Sequence, residues 1–204
     1  SDVCSSDLLP APVPPSPDTS AALLAAFAER DIDFHPNTVI TRLDPARRVA
    51  VLGDGEEMPF DLFLGVPKHQ VPRVVADSGL SVDGWIPVDP YTLETRFPGV
   101  YAVGDVTSVG TPKAGVFTEG QAVVVGRRII DTIRGRDSDA RYDGAAACFV
   151  EFGEDAVGRV DIVFTPGEHP HGTLSGPSTE LVEAKNAFGG QRIRRWFGRD
   201  WMPY

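Results

Sequence analysis

Three features of the 204-residue sequence predict an α/β fold. A short apolar run, Val100-Tyr101-Ala102-Val103, lies between the turn residues Phe97-Pro98-Gly99 and an abrupt Gly104-Asp105. β-Forming residues bounded in this way read as a buried strand. A cationic lead-in, Pro112-Lys113-Ala114-Gly115, then opens an apolar helix over 115–133. Two alternating β-rich runs, 145–152 and 157–164, flank Gly153-Glu154-Asp155-Ala156 and read as an antiparallel hairpin. The Gly-Asp pair sits at the carboxyl end of the predicted strand, where open α/β sheets bind ligands.

Composition narrows the class. With 42% hydrophobic and 24% charged residues the chain is ordinary globular material, long enough for one or two domains. A formal charge of −10 argues against a nucleic-acid partner, because phosphate binding needs a basic surface. No apolar run approaches bilayer length, and the N-terminus has no basic segment followed by an apolar one. The expectation is a cytoplasmic protein. Cys4 and Cys148 have no Cys-x-x-Cys spacing, so neither a zinc site nor a disulfide framework is indicated. His169 and His171 sit among Pro and Gly without further soft ligands and read as loop residues. No metal is expected.

Residues 1–17 form a tail or linker. The first eight, SDVCSSDL, match nothing downstream and are set aside from the fold as a remnant of cloning or sequencing. Pro10, Pro12, Pro14, Pro15 and Pro17 predict extended chain. Residues 18–94 form the next segment. Asp18, Thr19 and Ser20 offer caps for a helix over 21–30, whose Leu23, Leu24, Phe27 and Ala28 make a packing stripe. Short strands are predicted at 32–36, 38–43, 48–52 and 60–66, with a hairpin turn over 52–56. Lys68 and His69 follow in a solvated loop. Residues 85–89 read as a further strand before a turn over 91–95.

Residues 95–135 carry the predicted strand, the Gly-Asp turn and the long helix. Val116, Ala122, Val123, Val124, Val125, Ile129 and Ile130 give that helix a broad apolar surface, predicted to be buried on a sheet. Gly120 and Gly126 read as close-packing positions and Gly135 as a C-terminal cap. Residues 136–204 hold the hairpin and a tail. A cap at Ser178-Thr179-Glu180 opens a helix through Ala187, which Gly189-Gly190 is expected to interrupt. Beyond it, Arg192, Arg194, Arg195 and Arg199 lie close in sequence to Trp196, Phe197 and Trp201. This basic–aromatic patch suits either an anionic membrane surface or packing on a domain or a second subunit.

Val100-Tyr101-Ala102-Val103-Gly104-Asp105 resembles the second flavin-binding motif of the pyridine-nucleotide-disulfide oxidoreductase superfamily, flavoproteins built from two dinucleotide-binding, Rossmann-like domains. The adjoining Pro112-Lys113-Ala114-Gly115 is similar to its sulfide:quinone oxidoreductase and type II NADH dehydrogenase branch. Tyr142-Asp143-Gly144-Ala145-Ala146-Ala147-Cys148 also resembles a segment that precedes a hairpin in such proteins. The resemblance implies that this chain is the C-terminal half of such a flavoprotein. In this half, residues 18–94 would be the rear of a nucleotide-binding domain, 95–135 the end of the FAD-binding domain and 136–204 an interface domain. Neither a Gly-x-Gly-x-x-Gly turn for NAD(P)H nor the first flavin fingerprint occurs in the sequence.

The same resemblance implies FAD as cofactor, with Gly104, Asp105, Pro112, Lys113, Ala114 and Gly115 as its binding residues. Asp105 would accept hydrogen bonds from the ribityl hydroxyls. Lys113 and the helix N-terminus at Gly115 would place positive potential beside the flavin ring. The parent protein would pass electrons from NAD(P)H or another small reductant to a quinone or other acceptor. Peripheral contact with the inner face of a membrane, through residues 192–201, and homodimerisation are implied as options. Sulfide:quinone oxidoreductases carry a reactive cysteine just before the Pro-Lys segment. Here that place holds Ser108-Val109-Gly110-Thr111, a departure that counts against sulfide chemistry. No acid, base or nucleophile is evident. Read without the resemblance, Gly104-Asp105 is a turn and the chain an α+β interaction module without cofactor.

Overall fold

The computed structural model describes residues 3–6, 9–66 and 68–200, and the side chains of all of these except 3–6. Elements follow in the order β1 (Val3–Ser6), α1 (Pro17–Ala28), β2 (Ile32–His35), β3 (Ile40–Asp44), β4 (Val49–Leu52), β5 (Glu57–Pro59), α2 (Arg73–Asp77), a 3-10 turn (Gly104–Val106), α3 (Gly115–Ile133), β6 (Ala145–Gly153), β7 (Ala156–Val163), β8 (His171–Ser178) and α4 (Leu181–Phe197). The chain divides into two compact units. One comprises Ser1–Pro67, Glu151–Gly158 and Thr173–Tyr204, the other Lys68–Val150 and Arg159–Gly172.

In the first unit, α1 begins four residues before its sequence-based start. Pro17 takes the first helical position, where its missing N–H is no loss. The polar residues meant as caps lie inside the first turn. Ser16 donates to Asp18 (2.5 Å), and Ser20 donates to the Val13 carbonyl (2.8 Å) while accepting from the Val13 N–H. The residues before the helix are therefore folded back by hydrogen bonds rather than extended. Of the expected stripe, Leu23 and Phe27 are half-buried, and Phe27 meets Phe34 of β2 with ring centroids 6.2 Å apart. Residues 3–6, set aside on sequence grounds, form a strand parallel to β2, pairing Val3 with Ile32 and Ser6 with His35.

Strands β3, β4 and β5 make an antiparallel sheet in that order, and Val49, Ala50 and Leu52 of β4 are buried, Ala50 and Leu52 on one face and Val49 on the other. The hairpin partner of β4 is 57–59, not the more apolar 60–66. The Leu52–Glu56 turn closes through Leu52 N–H to Glu56 O (2.8 Å), which delivers Glu57 to the ladder at once. Phe60 still donates its N–H to the Arg48 carbonyl at 2.8 Å, but residues 61–66 join no strand among the described residues, and Leu62, Leu64 and Val66 are 75%, 85% and 85% exposed. Hydrophobicity alone does not make a strand; a ladder partner does.

The sheet β6-β7-β8 extends the predicted hairpin by one strand. Glu154 and Asp155 link β6 to β7 with φ of 51° and 59°, the two-residue turn that suits strand twist. His171, read as a loop residue, opens β8, whose Gly and Pro content hides it from periodicity. Helix α4 runs unbroken through Gly189-Gly190, which lower helix propensity without forbidding it, and ends at Gly198 with φ 63°. Trp201 lies outside the described residues.

The core of the second unit is built on Leu93, Phe117, Val124 and Tyr142, with Phe164 set edge-on against Phe117 at 5.5 Å. Helix α3 has the predicted bounds, yet only Phe117, Gln121 and Val124 are buried along it. Ile129, Ile130 and Ile133 are 42%, 48% and 80% exposed, so the expected burial of the whole apolar surface is corrected to one face. The strands predicted at 85–89 and 100–103 are not formed. Isolated bridges join Ile86 to Thr107 and Glu94 to Tyr101, because no neighbouring strand is present among the described residues to continue a ladder.

Candidate functional site

The Gly104–Val106 turn and the N-terminus of α3 come together within the second unit. Gly104 has φ 77°, and a Cβ there would stand 2.9 Å from Cγ2 and 3.0 Å from Oγ1 of Thr118 in the first turn of α3. Only glycine meets both demands. Three side chains then pin the turn. Gln121, 1% exposed, accepts the Gly104 N–H at 2.6 Å. Thr107, buried, donates from its hydroxyl to the Gly104 carbonyl at 2.9 Å. Lys113 donates from Nζ to the carbonyls of Asp105 (2.7 Å) and Thr107 (3.0 Å).

Lys113 carries a further contact that sequence reading did not foresee. Its ammonium lies 3.5 Å from the centroid of the Trp85 ring. Partial burial pulls the Lys113 pKa down, with the Asp105 charge opposing. The lysine is thus a clamp on the turn as well as a local positive charge. The Asp105 side chain is exposed and has no hydrogen bond or ion pair among the described residues. Its backbone is held and its carboxylate is left available.

Behind the turn, Gln121 donates from Nε2 to Thr111 Oγ at 3.3 Å. The Tyr142 hydroxyl, buried beside both, makes no hydrogen bond of normal geometry. Burial raises the tyrosine pKa, partly offset by those two neighbours. Gly120 admits the Tyr142 ring: a Cβ would lie 3.3 Å from Cε2. Gln121 was not among the residues singled out from sequence. It was nonetheless findable, as a polar residue on the same helical face as Phe117 and Val124.

Pro112 is exposed and accepts from the Ala114 N–H at 3.0 Å. Ala114, extended at φ −144° and ψ 146°, is the N-cap of α3; its carbonyl accepts from the N–H groups of Phe117 and Thr118. No side chain caps the helix, and the N–H groups of Gly115 and Val116 have no partner among the described residues. A Cβ at Gly115 would meet nothing within 4 Å. Two free donors, the positive end of a 19-residue helix and a free carboxylate on an adjoining fixed turn can hold a ligand offering both a negative group and hydroxyls. Gly104, Asp105, Lys113, Ala114 and Gly115 are therefore brought together, with Pro112 on their rim.

Lys68 and His69 are exposed, and among the described residues neither makes a hydrogen bond, ion pair or ring contact with this turn. Cys148 is a free, half-buried thiol whose pKa burial raises, which keeps it protonated and weakly nucleophilic. No group of three or more metal-ligating side chains occurs among the described residues.

A family model described as pyridine nucleotide-disulphide oxidoreductase matches residues 7–128. The sulfide-quinone reductase of Aquifex aeolicus (strain VF5) is 28% identical over 148 residues, covering 64% of this chain and 34% of that protein. The mitochondrial sulfide:quinone oxidoreductase of Schizosaccharomyces pombe is 30% identical over 126 residues, covering 58% of this chain and 28% of that one. The chain thus spans about a third of the length of these curated relatives. Among solved structures, the Aquifex aeolicus sulfide:quinone oxidoreductase superposes with a TM-score of 0.71 at 20% identity, over 97% of this chain and 54% of that one. At that identity the likeness concerns the fold alone.

Proposed function

The chain belongs to the pyridine nucleotide-disulphide oxidoreductase family, and from that premise we propose that it is the rear portion of an FAD-dependent oxidoreductase. The parent protein would move electrons from NAD(P)H or another small reductant to a quinone or other acceptor. The observation that carries this reading is the pairing of a pinned turn with an Asp105 carboxylate that has no hydrogen-bond partner among the described residues, beside a helix N-terminus without a side-chain cap. Those features suit a cofactor bearing a polyol and an electron-poor ring.

The residues fit FAD in kind. Asp105 would accept from the ribityl hydroxyls, Gly104 would let backbone approach, and the Gly115 and Val116 N–H groups would face the pyrimidine edge of the ring. FAD, when bound, supplies the redox chemistry. The protein's part is to hold, orient and polarise. Lys113 adds fixed positive charge near the turn, and the positive end of α3 favours negative charge on the ring. No cysteine stands at 108–111, and Cys148 is a protonated, half-buried thiol. Both facts favour a donor other than sulfide. No helix among the described residues is long and apolar enough to cross a membrane. Exposed Trp196 and Phe197 at the end of α4, with Arg195 close by, leave a surface suited to peripheral membrane contact or to a second subunit.

In the full-length protein, Asp105→Ala is expected to lower FAD occupancy on purification by about tenfold, the effect of losing one or two hydrogen bonds to a charged acceptor. The ratio of flavin absorbance to protein absorbance measures it. An unchanged ratio would remove Asp105 from the site, and a colourless wild type that refuses added FAD would remove the flavin reading altogether.

A further inference from the structure

We propose that Trp85 and Lys113 are positioning residues for the cofactor, acting together as a clamp that fixes the Gly104–Val106 turn; this rests on the flavin reading above. The Lys113 ammonium has three donors. Two of them go to carbonyls on either side of Val106, those of Asp105 at 2.7 Å and Thr107 at 3.0 Å. The Trp85 ring covers the ammonium at 3.5 Å.

The backbone next to Trp85 grips the same turn. Ile86 donates its N–H to the Val106 carbonyl at 2.8 Å, and Ser108 donates to the Ile86 carbonyl at 3.1 Å. Residues 85–86 therefore hold the turn twice, directly through Ile86 and indirectly through Trp85 on Lys113. No side chain among the described residues hydrogen-bonds the Asp105 carboxylate, so its direction is set by the backbone beneath. A turn fixed beforehand spares the cofactor the ordering cost at binding. Lys113 thus acts on the cofactor through the geometry of Asp105, and Trp85 acts through Lys113. This assigns Trp85 a role that its place in a predicted strand concealed.

The test uses the full-length protein with two readouts: hydrogen exchange of the Thr107 and Ser108 amides without cofactor, and FAD affinity by titration. Trp85→Leu and Lys113→Met are each expected to speed exchange at both amides by about tenfold and to weaken FAD by a similar factor. Trp85→Phe keeps an aromatic face and should stay within about twofold of wild type in both. Unchanged exchange in Trp85→Leu would overturn the clamp. Weaker FAD binding in Lys113→Met alone, with exchange unchanged throughout, would mean that the lysine acts by charge only and would also overturn it. Faster exchange in a protein whose wild type binds no FAD would discard the flavin reading, and the cofactor role with it, while leaving the clamp as a feature of the fold.

Discussion

Gly104 joins backbone conformation to side-chain packing at one atom. Its φ of 77° is uncommon for any residue with a Cβ, and the Cβ would press on Thr118 at 2.9 Å. Gly104→Ala should therefore cost about 2 kcal/mol, the sum of left-handed strain and a forced shift of α3. Thermal denaturation of the chain would register it, and an unchanged midpoint would mean that the turn is not held as described. Gln121 belongs to the same scale. A buried amide that binds both the Gly104 N–H and Thr111 cannot become leucine without orphaning a backbone donor, which is why a polar residue interrupts the apolar face there. The Asp105 side chain, by contrast, makes no hydrogen bond among the described residues, so its replacement should be felt in ligand binding and not in stability.

Helix α3 was legible to the residue in its bounds and only partly in its burial. Its pattern of Val and Ile says that it is apolar on more than one side, but which side meets protein depends on what folds against it. Phe117, Gln121 and Val124 are covered, while Ile129, Ile130 and Ile133 are open. Its two internal glycines separate on the same ground. Gly126→Ala adds a Cβ that meets nothing within 4 Å and should stabilise the helix by about 1 kcal/mol, raising Tm by roughly 2–4 °C. Gly120→Ala would push against Tyr142 at 3.3 Å and should give no such gain. If both variants gained equally, the packing of Tyr142 on α3 would be wrong. Strands fared worse than helices. A helix closes its own hydrogen bonds within ten or so residues, whereas 60–66, 85–89 and 100–103 carry strand composition but gain at most isolated backbone bonds, not a continuous ladder, among the described residues.

Across the whole molecule, several carboxylates are held ionised by hydrogen bonds. Ser16 Oγ, with the Leu174 and Thr19 N–H groups, lowers the pKa of Asp18; the Thr92 and Tyr91 N–H groups lower that of Asp89. Ser138 and Arg136 lower the pKa of Asp131, and Arg47 that of Glu57. A carboxylate with a depressed folded-state pKa gives its full stabilisation above the ordinary value and loses it as pH falls through the folded one. Tm should therefore be flat between about pH 5 and 7 and fall below about pH 4. A Tm that held steady well below that range would contradict these bonds. Asp89→Asn should remove part of the fall, since its two backbone donors would no longer distinguish a charged acceptor.

What the sequence determined by itself was local: the extent of α3, the β6–β7 hairpin, the turn at Gly104-Asp105 and the family that its motif resembles. Each of these rests on contacts between residues close in the chain, so composition and spacing suffice to write them. The tertiary structure alone decided that Trp85 sits on Lys113, that Gln121 holds Gly104, that β1 pairs with β2 and that 61–66 joins no strand among the described residues. These depend on which distant segments meet, and meeting is governed by packing and ladder hydrogen bonds that no short window of sequence contains.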